Sequence, residues 1–272
     1  MEGLEGDGVF LVTALSSVPR VCTVDGWGSS PVSVGLTCTD TAGTPRDTAF
    51  ALTSTRGTGV AGGASGRLAH AWLDADAPHP YYNHVTGGGS ITRTRSGPGV
   101  YQATIPGLGH EQDTGTVQLT RYGSPGFCNT NFWTSDSENM HVKITCRDLD
   151  GDPSDASVDL LFLRKLGPEG FGGGPAAYLW ASNKNASAPY RPNTLDAGQS
   201  NGKRSTIDRT AVGVYRVTLK GLPRGGAATV TAHGTGKARC PLGKIFTTAP
   251  ATVVVRCHTP TGSLVNSNFT LA

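Results

Sequence analysis

Short stretches in which apolar and polar residues alternate recur along the whole chain. In the three clearest stretches, apolar residues lie two, four and six positions before a cysteine: Val32, Val34 and Leu36; Met140, Val142 and Ile144; Ala251, Val253 and Val255. A period of two residues places one set of side chains on one face of a β-strand. No window of fifteen residues has a 3.6-residue period and is also free of glycine and proline, so the pattern predicts an all-β protein with many turns.

The cysteines align three copies of one unit. They form three pairs separated by 16, 18 and 17 residues: Cys22 and Cys38, Cys128 and Cys146, Cys240 and Cys257. A glycine follows each second cysteine at plus five, an Asp or Asn at plus nine, and apolar residues at plus twelve and plus fourteen. This spacing predicts a strand, a turn with a left-handed glycine and a second strand in each copy, which makes a four-stranded cysteine unit.

A second kind of unit, the linker unit, lies between the cysteine units. In its two copies Trp72 matches Trp180 and Tyr101 matches Tyr215. The chain is therefore predicted to be one repeat domain in which cysteine and linker units alternate. The five units are 1–58, 59–112, 113–167, 168–225 and 226–272.

The number of units favours one architecture over another. Five antiparallel β-meanders of about 50 residues fit a five-bladed β-propeller, in which each blade buries both faces against its neighbours. The alternative is tandem β-sandwich modules of about 108 residues, each made of a cysteine unit and a linker unit. That alternative leaves half a sandwich, which cannot bury its apolar face alone and would complete another chain or a sheet edge.

Composition narrows the possible partners. The chain has 38 glycines and 17 prolines among 272 residues, 16% charged residues and a net charge of +3. Basic residues do not cluster with aromatic ones, so nucleic acid is not expected as a partner. No apolar run reaches the ~18 residues of a membrane span, and membrane insertion is not expected.

The cysteine spacing also predicts the cellular compartment. No CxxC doublet is present, so disulfides within each pair are a better interpretation than a zinc site. Three disulfides indicate an oxidising, extracellular location. The opening MEGLEGDGVFLV lacks a signal-peptide pattern, so we expect that a secretion signal was removed or is missing from this sequence.

Several of these motifs together resemble a known kind of protein. GTVQLTRYGS precedes a cysteine, and a tryptophan follows the cysteine at plus five in two copies (Trp27, Trp133). VxVxC, GxPxD and the linker signature AYLW, TxxRT and GVYxVTxxGL complete the pattern, although Ile245 replaces the tryptophan in the third copy. The chain resembles a largely uncharacterised family of secreted tandem-repeat proteins that is frequent in actinobacteria. The resemblance implies secretion and a repeat architecture, and it assigns no activity.

Catalytic motifs are not found in the sequence. There is no G-x-S-x-G, H-E-x-x-H, G-x-x-x-x-G-K-[ST] or helix-opening G-x-G-x-x-G. We therefore predict a protein that is not an enzyme and that has no cofactor. The alternative is an extracellular hydrolase using unrepeated residues such as Asp74, His79 or His110.

One acidic loop has the composition of a calcium site. RDLDGDPSD contains Asp148, Asp150, Asp152 and Asp155, whose oxygens are ligands that calcium prefers. The equivalent loops of the other units, TDTAGTPRD and HTPTGSLVN, lack most of these carboxylates. We therefore predict no metal site and keep calcium at these four residues as an alternative.

Aromatic residues followed by polar loops recur in both linker units. A sugar ring stacks on an exposed Trp or Tyr while Asp and Asn bind its hydroxyls, and repetition of such a loop suits multivalent binding. The candidate ligand-binding residues are Trp72, Asp74, Asp76 and Tyr82 in one copy and Trp180, Asn183, Asn185 and Tyr190 in the other.

These observations predict a secreted, lectin-like, non-catalytic protein that binds carbohydrate or a cell-surface component. A structural or assembly subunit of an extracellular complex is the alternative. The oligomeric state is not assigned.

Overall fold

The chain folds into β-strands throughout the part that can be described. The computed structural model describes residues 8–29, 32–55, 67–74, 78–109, 114–165, 175–223, 226–246 and 250–272. Within these ranges there are twenty strands and no helix, so the prediction of an all-β fold is confirmed. The strands are β1 (Val9–Leu15), β2 (Val21–Ser29), β3 (Val32–Thr39), β4 (Ala49–Thr55), β5 (Arg67–Leu73), β6 (Pro78–Val85), β7 (Thr92–Gly97), β8 (Val100–Pro106), β9 (Thr116–Tyr122), β10 (Phe127–Ser135), β11 (Asn139–Arg147), β12 (Ser157–Arg164), β13 (Ala177–Ala181), β14 (Ala197–Gln199), β15 (Thr206–Ala211), β16 (Val214–Leu219), β17 (Val230–His233), β18 (Leu242–Phe246), β19 (Ala251–Arg256) and β20 (Asn268–Leu271).

These strands belong to three open, mixed sheets. Sheet 1 has the order β15-β16-β19-β18-β1-β4, sheet 2 has β14-β13-β20-β17-β10-β11-β8-β7, and sheet 3 has β3-β2-β9-β12-β5-β6. Each sheet combines strands from at least three of the five units. A five-bladed propeller of consecutive meanders is therefore not seen in the described residues, because the middle hairpin of each cysteine unit pairs outside its own unit.

The cysteine units are joined in a ring. The hairpin of the first cysteine unit (1–58) pairs in parallel with the first strand of the second cysteine unit (113–167) at Val24 and Tyr122. The hairpin of the second cysteine unit pairs with the third cysteine unit (226–272) at Thr130 and His233. The hairpin of the third cysteine unit returns to the first at Leu242 and Leu15. The three parallel bridges fall at equivalent positions, so the cysteine units surround an approximate threefold axis.

Chain order and sheet order together define three lobes around this axis. Lobe 1 contains β1–β4, lobe 2 contains β5–β12 and lobe 3 contains β13–β20, and each lobe takes strands from two sheets. Each lobe has its own apolar core, and lobes 2 and 3 have the larger ones. This two-layer packing is closer to the sandwich alternative than to five blades, although the sheets continue from lobe to lobe.

A smaller cluster connects the lobes near the axis. Leu11 of lobe 1 packs with Leu161 and Leu163 of lobe 2 and with Tyr178 of lobe 3. All four side chains are at least 95% removed from solvent. Burial of such side chains stabilises by roughly 1.5–3 kcal/mol each, so the lobes are coupled through a shared core.

The predicted turn glycines have the expected backbone conformation. The φ angles of Gly43, Gly151 and Gly262 are 80°, 83° and 95°. Few residues other than glycine adopt this left-handed region without strain, which confirms the glycine-bearing turn of each cysteine unit. The prediction that this turn closes a hairpin is wrong, because the strands on its two sides, such as β11 and β12, belong to different sheets.

Among the described residues, β3 and β4 of lobe 1 lie at the edges of their sheets, whereas the equivalent strands of lobes 2 and 3 have a neighbour on each side. In lobe 2, β11 and β12 pair with β8 and β5 of a linker unit, and in lobe 3, β19 and β20 pair with β16 and β13. The equivalent strands of lobe 1, β3 and β4, are the last strands of their sheets among the described residues. Lobe 1 therefore lacks the second half that a linker unit supplies in the other lobes.

Candidate functional site

The disulfides join the predicted pairs. Cys22–Cys38, Cys128–Cys146 and Cys240–Cys257 each connect the two strands of one hairpin. Loops of this size contribute about 3 kcal/mol per disulfide in the chain-entropy model. Three disulfides support an oxidising, extracellular environment. Among the described residues there is also no helix long and apolar enough to cross a membrane.

The repeated tryptophans lie in two equivalent aromatic clusters. The ring of Trp72 is 5.6 Å from that of Trp27 and 5.1 Å from that of Tyr122. In the next lobe the ring of Trp180 is 5.3 Å from that of Trp133 and 4.8 Å from that of His233. Each cluster joins side chains from three units, and all of these rings except Trp133 are partly exposed. Distances of this size are typical of aromatic packing, so these residues are structural as well as accessible.

The predicted binding loop of the second linker unit is not built around its tryptophan. Trp180 packs against the core of lobe 2, whereas Tyr190 packs against the core of lobe 3. Asn183 donates its backbone N–H to the hydroxyl of Tyr190 at 3.3 Å, and the side-chain oxygen of Asn185 accepts from Asn266 at 2.9 Å. The four residues are therefore not gathered into one cluster, because these polar groups hold the loop to its own lobe, and ligand binding by them stays a prediction.

Tyr190 is also unsuited to ionisation. Burial raises the pKa of its hydroxyl to about 12. Its backbone N–H and carbonyl pair with Ile207 at 2.9 and 2.8 Å. The residue acts as a partly buried packing group that anchors the loop.

The first linker unit is described only in part. Asp74 accepts a hydrogen bond from the hydroxyl of Ser157 at 2.6 Å, next to the strand that carries Trp72. Asp76 lies outside the described residues, and so does the side chain of Tyr82 on β6. The proposed site in this unit stays a prediction.

Two carboxylates of the acidic loop, those of Asp152 and Asp155, form ion pairs or hydrogen bonds with other residues of the protein. Asp155 accepts hydrogen bonds from Arg95, from the backbone of Gly99 and from the hydroxyl of Tyr101, which together hold its pKa below the usual range. Asp152 forms an ion pair with Lys237 at 2.8 Å.

The other two carboxylates do not complete a cation site. Asp148 accepts from the backbone of Asp152 at 2.9 Å, and Asp150 is exposed. No group of three or more His, Cys, Asp or Glu in the described ranges is placed to hold a metal ion. Calcium at these four residues is not supported.

The described histidines are not gathered around a nucleophile. His70 stacks on His84 at 5.6 Å, and burial, with a smaller effect of His84, lowers the pKa of His70 to about 4. Burial alone lowers the pKa of His233 to about 4. Two of the residues suggested for a hydrolase, the side chain of His79 and all of His110, lie outside the described residues.

The candidate residues taken from the sequence do not include one carboxyl group that is buried in the structure. Asp159 on β12 is fully buried, and neither of its side-chain oxygens has a hydrogen-bond partner. Burial raises its pKa well above the usual range, so the carboxyl is held neutral. The equivalent residues, Ala51 and Thr270, carry no charge. The repeat alignment contains this signal, since a carboxyl stands where the other units have uncharged residues.

The sequence also did not point to a second candidate site, a groove on the side of lobe 1 where no linker unit packs. A groove of about 470 Å³ lies beside β3, lined by Leu36, Thr37, Cys38, Pro45, Arg46 and Asp47. In lobes 2 and 3 the equivalent positions face the linker hairpin. The signal in the sequence is the odd number of units, which leaves one cysteine unit without a linker unit.

Comparison with known proteins identifies no relative: no protein-family model, curated protein or solved structure matches this chain. The resemblance to secreted actinobacterial repeat proteins therefore stays a prediction, and any function is argued from the structure alone.

Proposed function

We propose that this protein is an extracellular, non-catalytic assembly subunit that completes lobe 1 with a linker-type β-unit donated by a partner polypeptide. The first support is the exposure of side chains that belong in a core. Phe50 is 47% exposed, whereas its equivalents Val158 and Phe269 are 0% exposed. Leu36 is partly exposed, and its equivalents Ile144 and Val255 are 0% exposed.

The two complete lobes show what the missing partner must present. In lobe 2 the backbone N–H of Gly99 donates to Asp155 at 2.8 Å, and its carbonyl accepts from the N–H of Cys146 at 2.8 Å. In lobe 3 the N–H of Gly213 donates to Asn266 at 2.8 Å. Its carbonyl accepts from the N–H of the second cysteine of that unit at 2.8 Å.

Glycine is required at this contact because the backbones approach closely. A Cβ on Gly99 would lie 2.4 Å from the carbonyl oxygen of Cys146, and a Cβ on Gly213 would lie 2.7 Å from that of Cys257. A tyrosine follows two residues later in both hairpins, and its hydroxyl accepts an N–H from Ala156 or Ser267. A Gly-x-Tyr hairpin is therefore the element that fits.

Lobe 1 has the receiving groups for such a hairpin. Cys38 occupies the position of the second cysteine, whose N–H donates to the glycine carbonyl, and Asp47 that of the Asp or Asn that accepts from the glycine N–H. Both line the groove. The outer edges of β3 and β4, which have no partner strand among the described residues, can each accept a strand, which is a common way to bind a polypeptide. Burying each large apolar side chain contributes roughly 1.5–3 kcal/mol.

The donor is not one of the two linker units within these 272 residues, because both are already used. The hairpins of β5–β8 complete lobe 2, and those of β13–β16 complete lobe 3. A second copy of the chain would have its linker units engaged in the same way. The partner must therefore carry a further unit of this type.

A fused donor tests whether the edge accepts such a unit. A copy of residues 168–225 is joined ahead of Met1 of the full chain through a flexible Gly/Ser linker, which raises its effective concentration to the millimolar range. We expect slower hydrogen exchange in β3 and β4 and a higher unfolding midpoint than in the unfused chain. The control fusion carries Gly213→Val in the copied unit only, and we expect it to show neither effect.

Two substitutions in β3, the strand that would receive the donor, test the contact without changing the donor unit. Leu36→Lys in the fusion places a charge on the face of β3 that meets the donor, whereas Ser33→Lys places it on the opposite face. Leu36→Lys should abolish the added protection and Ser33→Lys should retain it. Equal exchange of β3 and β4 in the fused and unfused chains would overturn the proposal.

Carbohydrate binding is a second candidate, supported by the two equivalent, partly exposed aromatic clusters. Titration of the full chain with cell-wall polysaccharides would quench tryptophan fluorescence if the rings of Trp72 and Trp180 stack on sugars. Trp180→Phe retains packing and should halve the number of sites. An unchanged spectrum with every polysaccharide would remove this candidate.

A further inference from the structure

A small cavity lies on the approximate threefold axis, outside the groove of lobe 1. It measures about 60 Å³. Equivalent residues of the three cysteine units line it, among them Thr13, Thr120, Thr231 and the first cysteine of each disulfide. A space of this size holds a few water molecules or one small tetrahedral ion.

The charge around the cavity has one sign. Arg20, Arg121 and Arg239 are among its lining residues, and none of the lining residues is acidic. Three arginines around one small space repel one another, and a bound anion offsets such repulsion. For Arg121, the nearby carboxylates of Asp148 and Asp155 already offset part of it.

Arg121 has no free capacity for a ligand. Its guanidinium donates to the backbone carbonyls of Ser124 and Arg147 at 3.0 Å each and to that of Asp155 at 3.2 Å. The hydroxyl of Ser124 also accepts at 2.8 Å. Arg121 therefore contributes positive potential and structure, and the direct donors must come from elsewhere.

Arg239 has this capacity. The side chain is 3% exposed, and only Nη2 has a partner, the carbonyl of Pro260 at 2.6 Å. Nε and Nη1 are buried and have no hydrogen-bond partner. The guanidinium carbon lies 5.9 Å from the centre of the Phe127 ring. Phe127 is the residue of the second cysteine unit that is equivalent to Arg239. A buried guanidinium with two unused donors is costly unless an acceptor is present.

Arg20 lies at the rim of the same cavity. It is partly exposed and donates Nη1 to the carbonyl of Pro19 at 3.1 Å. Because part of its side chain is exposed, it can reorient toward a ligand at the cost of one hydrogen bond.

We propose that this axial cavity binds a small oxyanion, a phosphate or sulfate group, through Nε and Nη1 of Arg239 with Arg20 closing the rim. A tetrahedral oxyanion matches the size of the cavity and accepts the paired donors of a guanidinium. The proposal does not depend on the assembly function, because the site uses the cysteine units and none of the residues of the groove.

The test uses the full-length protein and three probes at constant ionic strength. Inorganic phosphate, sulfate and glucose 6-phosphate are titrated by calorimetry, and chloride is the non-binding reference. We expect saturable binding of phosphate and sulfate below 1 mM, estimated from the strength of charge-assisted hydrogen bonds. Binding of glucose 6-phosphate would identify a phosphate group on a larger molecule as the ligand, and its exclusion would identify the free ion.

Three variants assign the site. Arg239→Met removes the buried donors and should weaken phosphate binding at least tenfold, whereas Arg216→Met removes an exposed charge on β16 and should leave binding unchanged. Arg20→Met, at the rim, should weaken binding severalfold and covers the case in which Arg239→Met fails to fold. Absence of saturable phosphate and sulfate binding by the unmodified protein, or equal weakening by Arg216→Met and Arg239→Met, would overturn the proposal.

Discussion

The side-chain oxygen of Thr120 accepts a hydrogen bond of 3.0 Å from the backbone N–H of Val12, 108 residues earlier in the chain. Thr231 accepts from Leu119 at 2.8 Å, and Thr13 accepts from Val230 at 3.0 Å. The three bonds form a closed cycle around the axis. Each unit thus satisfies a buried backbone donor of a neighbouring unit, which makes the ring of cysteine units cooperative.

Thr120→Val should destabilise the protein because it removes an acceptor while keeping the side-chain shape. The buried N–H of Val12 would lose its partner, at a cost of about 1–3 kcal/mol. The free energy of unfolding is measured by urea denaturation. Thr120→Ser keeps the hydroxyl and should cost less, and Thr92→Val, at an exposed position on β7, should have almost no effect.

Equal losses for Thr120→Ser and Thr120→Val would show that packing of the methyl group, and not the hydrogen bond, stabilises the axis.

The disulfide of lobe 1 should be the first to be reduced. Cys38 is partly exposed, whereas its equivalents Cys146 and Cys257 are 0% exposed. Thiol–disulfide exchange requires access of the attacking thiolate to a sulfur. Brief treatment with dithiothreitol, followed by alkylation and mass spectrometry, should label Cys22 and Cys38 before the other four cysteines.

Fusion of a donor unit should slow this reduction, since the donor covers Cys38. Uniform labelling of all three pairs would contradict the description of lobe 1 as an open half.

Asp159→Thr should stabilise the protein at pH 7.5. The substitution removes a buried carboxyl without hydrogen bonds and introduces the residue type that the third cysteine unit has at this position. There the hydroxyl of Thr270 donates to the carbonyl of Val117 at 2.5 Å. The expected gain is about 1–3 kcal/mol in the free energy of unfolding.

The gain should depend on pH in a defined direction. Burial raises the folded-state pKa of Asp159 above its unfolded value of 3.8, so the native protein retains a proton that the unfolded chain releases. Its destabilising effect therefore grows as pH rises above 3.8. The advantage of Asp159→Thr should shrink when unfolding is measured at pH 5, and a constant advantage would contradict a neutral buried carboxyl.

His233→Tyr should make the protein less sensitive to mild acid. The folded-state pKa of His233 is about 4, against 6.5 for an unperturbed histidine. The unfolded chain therefore binds a proton between pH 6.5 and 4 that the native protein does not, and stability is lost as pH falls through this window. The loss for one such histidine is on the order of 2 kcal/mol at pH 5.

Tyrosine is chosen because Tyr122 occupies the equivalent position in lobe 2, so the aromatic contacts with Trp133 and Trp180 can persist. Burial raises the pKa of Asp159, and it raises the pKa of Asp196 to about 6. These two groups therefore make the folded protein more stable as pH falls over the same range, which opposes the effect of His233. The quantity to measure is thus the difference between variant and parent at pH 7.5 and pH 5. No change in that difference would show that His233 does not contribute to acid sensitivity.

Local features of the fold follow from the sequence with little ambiguity. The alternation around Val142 and Val253 predicts strands, the spacing of the cysteine pairs predicts hairpin disulfides, and Gly151 predicts a left-handed turn. Each of these features depends on residues that are near one another in the chain, so local geometry is sufficient to fix it.

The spatial arrangement of the candidate binding residues could not be predicted from the sequence, for a physical reason. Trp180 and Tyr190 are ten positions apart, and their proximity in sequence suggested one site. Trp180 lies on β13 of sheet 2, whereas Tyr190 is bridged to Ile207 on β15 of sheet 1, and which core each residue meets depends on how distant strands pair. The clusters of Trp180 with Trp133 and His233 could not be inferred without that pairing.

The sequence by itself determined the strands, the three disulfides, the repeat units and their odd number. Only the tertiary structure decided that each cysteine hairpin pairs with the first strand of another unit, which turns five predicted blades into three lobes around an axis. The reason is that backbone hydrogen bonds between strands carry no residue-specific signal, so several pairings satisfy the same pattern of apolar positions. The exposed Phe50 and the unpartnered donors of Arg239 became visible as candidate sites only once that choice was known.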